Sequence, residues 1–126
     1  MMAVLDASAV LAMLLDEPGA DMVADAIRTA ELSIINYAEA MAKTAENGGD
    51  LDLTERILFS SGVRVRAFRE GHAMEAAKLR PVTKHLGLSF GDRACLVQGR
   101  FSNLPILTAD ARMASADIGL DIRMIR

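Results

Sequence analysis

Short apolar runs that end near an acid or hydroxyl, separated by longer stretches with helical spacing, limit the fold of this 126-residue chain more than anything else in it. Met2 to Leu5 stops at Asp6, and from Ser8 the spacing turns helical through Val10, Leu11, Leu14 and Leu15 until Pro18-Gly19. A second helix carries Val23, Ala26, Ile27 and Ala30 on one stripe. Ser33 caps a third, closed by Gly48-Gly49, and Asp52 with Glu55 forms a capping box for a fourth that ends at Gly62. Val63 to Phe68 alternates as an edge strand with one wet face, and Gly71 to Arg80 reads as a helix broken at Pro81. Ser89 caps a helix over Phe90 to Arg100, Pro105 to Thr108 is a buried strand, Asp110 opens a brief helix, and Ile118 to Ile125 contains the last strand. Strands alternating with helices predict a three-layer α/β fold, with a central, mostly parallel, twisted sheet of four to five short strands flanked by helices. In such sheets the functional crevice lies beyond the carboxyl ends of the strands.

No repeat, low-complexity tract or linker interrupts residues 1–126, so a single domain is expected. Fourteen Lys+Arg against 17 Asp+Glu leave a formal charge of −3, which argues against a protein that holds nucleic acid by its own charge alone. An enzyme that carries its cations as bound metal escapes that argument. Trp is absent and aromatics make up 4%, so stacking platforms for single strands are scarce. Cys95 is alone and closes no intrachain disulfide, which suits a reducing cytoplasm. The apolar run from Ala7 to Leu15 is too short to span a bilayer, and the opening Met-Met-Ala-Val-Leu-Asp lacks the basic stretch of a secretory signal.

Most of the acids lie at helix ends or on polar faces, where solvated charge explains them. Asp6, Glu39, Asp92 and Asp110 fit that account less well. Each has an ordinary alternative: Asp6 and Asp110 as helix N-caps, Asp92 as a first-turn complement to the helix dipole, Glu39 as an exposed glutamate. Their joint placement points elsewhere. Asp6 and Asp110 follow strands, while Glu39 and Asp92 lie in first turns of helices, so a doubly wound sheet brings all four toward one crevice. Carboxylates crowded at low dielectric repel, and they stay ionised together only around something positive. Hard oxygen ligands select Mg²⁺ or Mn²⁺. Zinc is disfavoured, because Cys95 is alone and His72 and His85 have no ligand spacing.

At these residues the chain resembles the PIN-domain family, and within it the VapC-type toxin ribonucleases of bacterial toxin–antitoxin pairs. The likeness runs through Val4-Leu5-Asp6-Ala7-Ser8-Ala9, Leu14-Leu15-Asp16-Glu17-Pro18, Glu39, Leu86-Gly87-Leu88-Ser89-Phe90-Gly91-Asp92-Arg93-Ala94 and Pro105-Ile106-Leu107-Thr108-Ala109-Asp110. It implies a metal-dependent endoribonuclease with one or two Mg²⁺ or Mn²⁺ ions. Asp6 and Asp92 are then direct ligands, Glu39 and Asp110 ligands directly or through water, and Ser8 and Thr108 hydroxyls that orient them. Metal-activated water would attack a phosphodiester in line, leaving a 5′-phosphate and a 3′-hydroxyl. The resemblance also implies a homodimer and a VapB-type antitoxin that wraps the helices, with the N-terminal helical pair as its groove. Arg93, Arg64, Arg66 and Lys84 are the candidate RNA contacts, Arg93 as phosphate contact or partner of an acid.

Rival classes fit poorly. A receiver-like signalling domain needs adjacent acids after the first strand, but Ala7 follows Asp6. A haloacid-dehalogenase-like phosphatase needs a second Asp where Ser8 stands. A stand-alone RNA-processing PIN nuclease and a catalytically silent PIN-fold binding module remain alternatives, although all four acids are present.

Overall fold

The computed structural model describes all residues, Met1–Arg126. The chain runs β1 (Val4–Leu5), α1 (Ala7–Leu14), α2 (Ala20–Ile27), β2 (Glu31–Ser33), α3 (Ile34–Glu46), α4 (Leu51–Ser60), β3 (Arg64–Arg66), α5 (Glu70–Thr83), a 3₁₀ turn (Lys84–Leu86), α6 (Phe90–Ser102), β4 (Ile106–Thr108), α7 (Ala111–Ala114) and β5 (Ile122–Met124). The five strands form one sheet in the order β3-β2-β1-β4-β5, with every pair parallel.

Alternation along the central strands builds the three layers. Leu5, Leu32 and Leu107 point to one face and pack with Val10, Val23, Ile27, Ala40 and Leu58 from α1 to α4. Val4 and Ile106 point to the other face and pack with Leu79, Leu96, Val97 and Met113 from α5, α6 and α7. Both faces are covered, as parallel sheets require. Val4 is in register with Glu31 and Ile106, which puts the ends of β1, β2 and β4 level and the residues after them along one edge.

Three details differ from the sequence reading. β2 was not visible as a strand, because its first residue is a buried glutamate and its three positions are all buried, which leaves no alternation to read. The N-cap of α4 is Asp50, whose side chain accepts from Leu53 N at 3.1 Å; Asp52 lies in the first turn instead. Helix α5 continues through Pro81 to Thr83. Pro81 sits exposed in the last turn, where the missing donor costs one bond and the freed carbonyl is open to solvent, and the Thr83 hydroxyl supports the turn by donating to Leu79 O.

Close approach of α6 to the sheet depends on Gly99, where a Cβ would lie 2.5 Å from Ile106 Cδ1 in the core. Gly99→Ala is expected to lower stability by about 1–3 kcal/mol through overpacking, despite the better helix propensity of alanine, as read by urea unfolding.

Candidate active site

Asp6 stands at the carboxyl end of β1, in the middle of the sheet, and is 4% exposed. It caps α1: its Oδ1 accepts from Ala9 N at 2.8 Å and from Ser8 Oγ at 2.7 Å. Its Oδ2 accepts from the Thr108 hydroxyl at the end of β4. The expected supporting hydroxyls, Ser8 and Thr108, thus both touch Asp6. They also brace the neighbouring loop, because Ser8 Oγ accepts from Ala109 N and Thr108 Oγ1 accepts from Asp110 N, each at 2.9 Å.

Glu39 reaches the same edge from the second turn of α3. Buried Asn36, one turn earlier, donates from Nδ2 to Glu39 Oε1 at 2.7 Å and to Gly91 O at 2.9 Å, tying α3 to the start of α6. The carboxylate lies directly over Gly91, where a Cβ would come within 2.3 Å of it. Position 91 therefore leaves room for Glu39 beside the first turn of α6. In that turn Asp92 closes a capping box with Ser89: its Oδ2 accepts from Ser89 N at 2.8 Å, while Ser89 Oγ accepts from Asp92 N.

The charges of these three acids act on one another. Burial raises Asp6 above the ordinary carboxylate range, its three hydrogen bonds pull it down, and the Asp92 charge raises it further. Glu39 is raised by burial and by the charges of Asp92 and Asp6, against the Asn36 hydrogen bond. Fully buried Cys95 lies behind them; burial and the charges of Asp6, Asp92 and Glu39 push its thiol well up, which removes it as a nucleophile.

Asp110, linked to Asp6 through the Thr108 hydroxyl, has a cationic partner of its own. It caps α7, accepting from Arg112 N, and is gripped by the Arg112 guanidinium, with Nη2 2.9 Å from Oδ2 and Nε 3.3 Å from Oδ1. That pairing holds its carboxyl below the usual range. Arg112 also reaches Gly87 O and feels the charge of Asp92, so a guanidinium stands at the side of the acid pocket.

That guanidinium is not the expected one. Arg93 turns away from the acids, because one step along a helix rotates a side chain by roughly 100°. Its Nη1 donates to Ala76 O of α5 at 2.8 Å, its Nε is buried without a partner, and its guanidinium carbon lies over the Phe90 ring, 5.8 Å from the centroid. Arg93 therefore clamps α6 to α5, and Arg112 takes the place beside an acid. Arg64 and Arg66 lie on edge strand β3, facing Glu31 rather than the pocket, and Lys84 is exposed in the turn before α6. Asn36 and Arg112 were missed by sequence reasoning; the only signals were an amide three residues before Glu39 and a cation two residues after Asp110.

The donor set suits a hard divalent cation. The anionic groups brought together here are carboxylates, two of them pushed upward by burial and then by the charges of their neighbours, and the absence of a side chain at Gly91 lets Glu39 lie beside the first turn of α6. No three carboxylates already close on one point at ligand distance. Mg²⁺ requires no such cage, since it keeps several waters and takes one or two carboxylates together with substrate phosphate.

The PIN domain family profile matches residues 3–119, and the chain belongs to that family. No curated protein matches the sequence. Among solved structures, the fold is similar to VapC20 of Mycobacterium tuberculosis, a sarcin–ricin-loop-cleaving toxin, with TM-score 0.77 and 14% identity over 94% of this chain and 96% of that one. A toxin–antitoxin complex from Klebsiella pneumoniae gives 0.76 at 14% identity, covering 98% of both chains. DNA-bound VapBC from Salmonella typhimurium gives 0.75 at 15% identity over the full length of both. At these identities the likeness is one of fold.

Because its pKa is raised in the fold, the Asp6 charge opposes folding at neutral pH, and the penalty fades as pH falls through the folded pKa toward the ordinary carboxylate range. Asp6→Asn is therefore expected to unfold at a higher temperature than wild type at pH 7 in EDTA, with the gap narrowing on acidification. Added Mn²⁺ is expected to raise the melting temperature of wild type much more than that of the variant. Equal melting temperatures at pH 7, with equal response to Mn²⁺, would remove Asp6 from the ion site.

Proposed function

We propose that the chain is a divalent-metal-dependent endoribonuclease, the toxin of a VapBC-type pair. The observation that carries this reading is the gathering of Asp6, Glu39 and Asp92 at the carboxyl edge of the parallel sheet, each oriented by hydrogen bonds that leave its charge in place. Family membership and the toxins of similar fold support it.

Asp6, Glu39 and Asp92 are the residues that would hold Mg²⁺ or Mn²⁺, with Asp110 reaching it directly or through water in exchange for Arg112. When bound, such an ion supplies a water acidic enough to be hydroxide near neutral pH and offsets charge on the phosphate. The chain's own residues prepare that chemistry. Ser8, Thr108 and Ala9 N fix both oxygens of Asp6, so its lone pairs present one direction. Asn36 aims Glu39, and Ser89 N fixes one oxygen of Asp92 while leaving the other free. Asp110 holds the Arg112 guanidinium at the pocket side, where an incoming phosphate gains a positive contact. No side chain is arranged as a nucleophile: Cys95 is buried, and the His72 Nδ1 is engaged by Arg69 N.

The proposed partner is a VapB-type antitoxin. The expected groove moves, because Val10, Val23 and Ile27 of α1 and α2 are core. The open apolar channel lies instead between α1 and α4, about 550 Å³, lined by Met13, Leu53 and Ile57, with Phe59 and Leu51 exposed nearby. An amphipathic antitoxin helix fits such a channel. A second copy of the chain completes a homodimer, acting in the cytoplasm; no helix is long and apolar enough to cross a membrane.

Purified protein is expected to cleave structured RNA with Mg²⁺ or Mn²⁺, leaving 5′-phosphate and 3′-hydroxyl ends. EDTA and Asp6→Ala are each expected to reduce the rate at least roughly 100-fold. Cleavage that survives both would refute the reading.

A further inference from the structure

Outside the acid pocket, the cavity with the most distinctive chemistry opens at the sheet edge, between β3 and the facing sides of α5 and α6. Its volume is about 460 Å³, and Arg66, Arg69, His72, Gln98, Phe101 and Ser102 line it. That size lies within the ~300–1,000 Å³ of small-molecule sites. None of these residues serves the acid pocket.

Its floor is built from buried polar groups. Glu31, at the start of β2, is 7% exposed; its Oε1 accepts from Gln98 Nε2 at 3.1 Å and from the Ser102 hydroxyl. Gln98 is 3% exposed and spends its amide nitrogen on Glu31 and Ser102, so the amide oxygen is the group it has left to offer. Glu31 Oε2 lies 3.9 Å from Arg64 and 4.0 Å from Arg66, beyond hydrogen-bond length. The carboxylate steadies both guanidiniums without consuming their donors. Arg69 brings a further cation, and its backbone N–H fixes the ring of His72 by donating to Nδ1 at 3.0 Å, which leaves the Nε2 side of the imidazole outward.

Aromatic residues are few in this chain, yet three of the four phenylalanines gather here. Phe68 meets Phe90 edge-on at 5.5 Å and His72 at 5.5 Å, and His72 meets Phe101 at 4.6 Å. Phe90 and Phe101 are 45% and 53% exposed, a poor placement for rings whose only role is packing. Phe90 is two residues before Asp92, and Phe101 lies three turns further along the same helix, about 16 Å away. The row therefore leads from the acid pocket to the cavity, with the Arg93 cation over its first ring.

We propose that the cavity is a nucleotide subsite for single-stranded RNA flanking the cleaved bond. A base stacks on Phe101 and His72, and its phosphate lies on Arg66 and Arg69. Stacking faces alternating with guanidiniums are the means by which single strands are held, and the local excess of arginine supplies what a chain of net charge −3 lacks elsewhere. The choice of RNA as the polymer rests on the nuclease reading; the cavity as a site for base plus phosphate does not.

The test uses the full chain with Phe101→Ser, Arg69→Ser and Arg69→Lys, all at exposed positions away from the acids. Binding of a fluorescent ten-nucleotide single-stranded RNA is measured in EDTA across a salt series, alongside steady-state cleavage with Mn²⁺ and sedimentation velocity. Phe101→Ser is expected to weaken binding roughly 5- to 30-fold. Arg69→Ser is expected to lower the salt slope by about 0.7, with Arg69→Lys restoring it. In cleavage, KM rises and kcat holds. Unchanged binding, slope and KM in a wild type that cleaves would overturn the subsite and leave the nuclease standing. Loss of binding in a wild type that never cleaves would support the subsite and overturn the nuclease. A changed oligomeric state with RNA binding intact would overturn the subsite by showing a protein–protein face.

Discussion

Repulsion among carboxylates at the carboxyl edge of a parallel sheet is the constraint around which this molecule is arranged. β1 and β4 end level at the centre of the sheet, and the helices that follow them begin there, so their capping acids, Asp6 and Asp110, are delivered to one edge, the second already paired with Arg112. Ordinary capping explains why each acid is tolerated locally. It does not explain why Asp6 is buried with its charge opposed by Asp92, or why Glu39 is steered over a glycine toward the same pair. A fold selected for stability alone would have neutralised these positions. The donors around them are hydroxyls and amides, which orient a carboxylate without removing its charge.

The exception is informative. Among the four acids, Asp110 alone has a cationic partner within the chain, and that partner, Arg112, lies within reach of the field of Asp92. The pocket is thus built in two parts: on one side buried Asp6 with the more open Glu39 and Asp92, none of them paired with a cation, and an ion pair on the other. On the proposed reading, a phosphodiester entering between them would meet the Arg112 cation from one part and, through an ion held by the trio, positive charge from the other, so that a chain of net charge −3 would attract a polyanion locally.

Much of this was legible in the sequence, for definable reasons. The layered α/β architecture followed from strand–helix alternation, and Asp6 and Asp110 stood out because each comes straight after an apolar run. Ser8 and Thr108 were expected only through the resemblance to PIN-domain proteins, and both contact Asp6. The hidden parts depend on tertiary contact. β2 offered no alternation, since Glu31 is stabilised by Gln98 and Ser102 from a helix 67 or more residues away. Arg93 sat beside Asp92 in sequence, but helical rotation carries it to α5, while Arg112 folds back on its own cap. The N-terminal apolar stripes proved to be core, and the open channel fell to α4. The scarcity of aromatics was plain from composition, whereas their gathering along α6 was not.

The decisive property of the pocket is whether a divalent ion settles among residues that the chain brings together from the end of β1, α3 and α6. Crystals grown with Mn²⁺ and measured at a wavelength where manganese scatters anomalously would show it. The expected result is a peak bounded by Asp6, Glu39 and Asp92 that vanishes in Asp6→Asn. A fully ordered pocket without a peak at millimolar Mn²⁺, or a peak elsewhere on the surface, would contradict it.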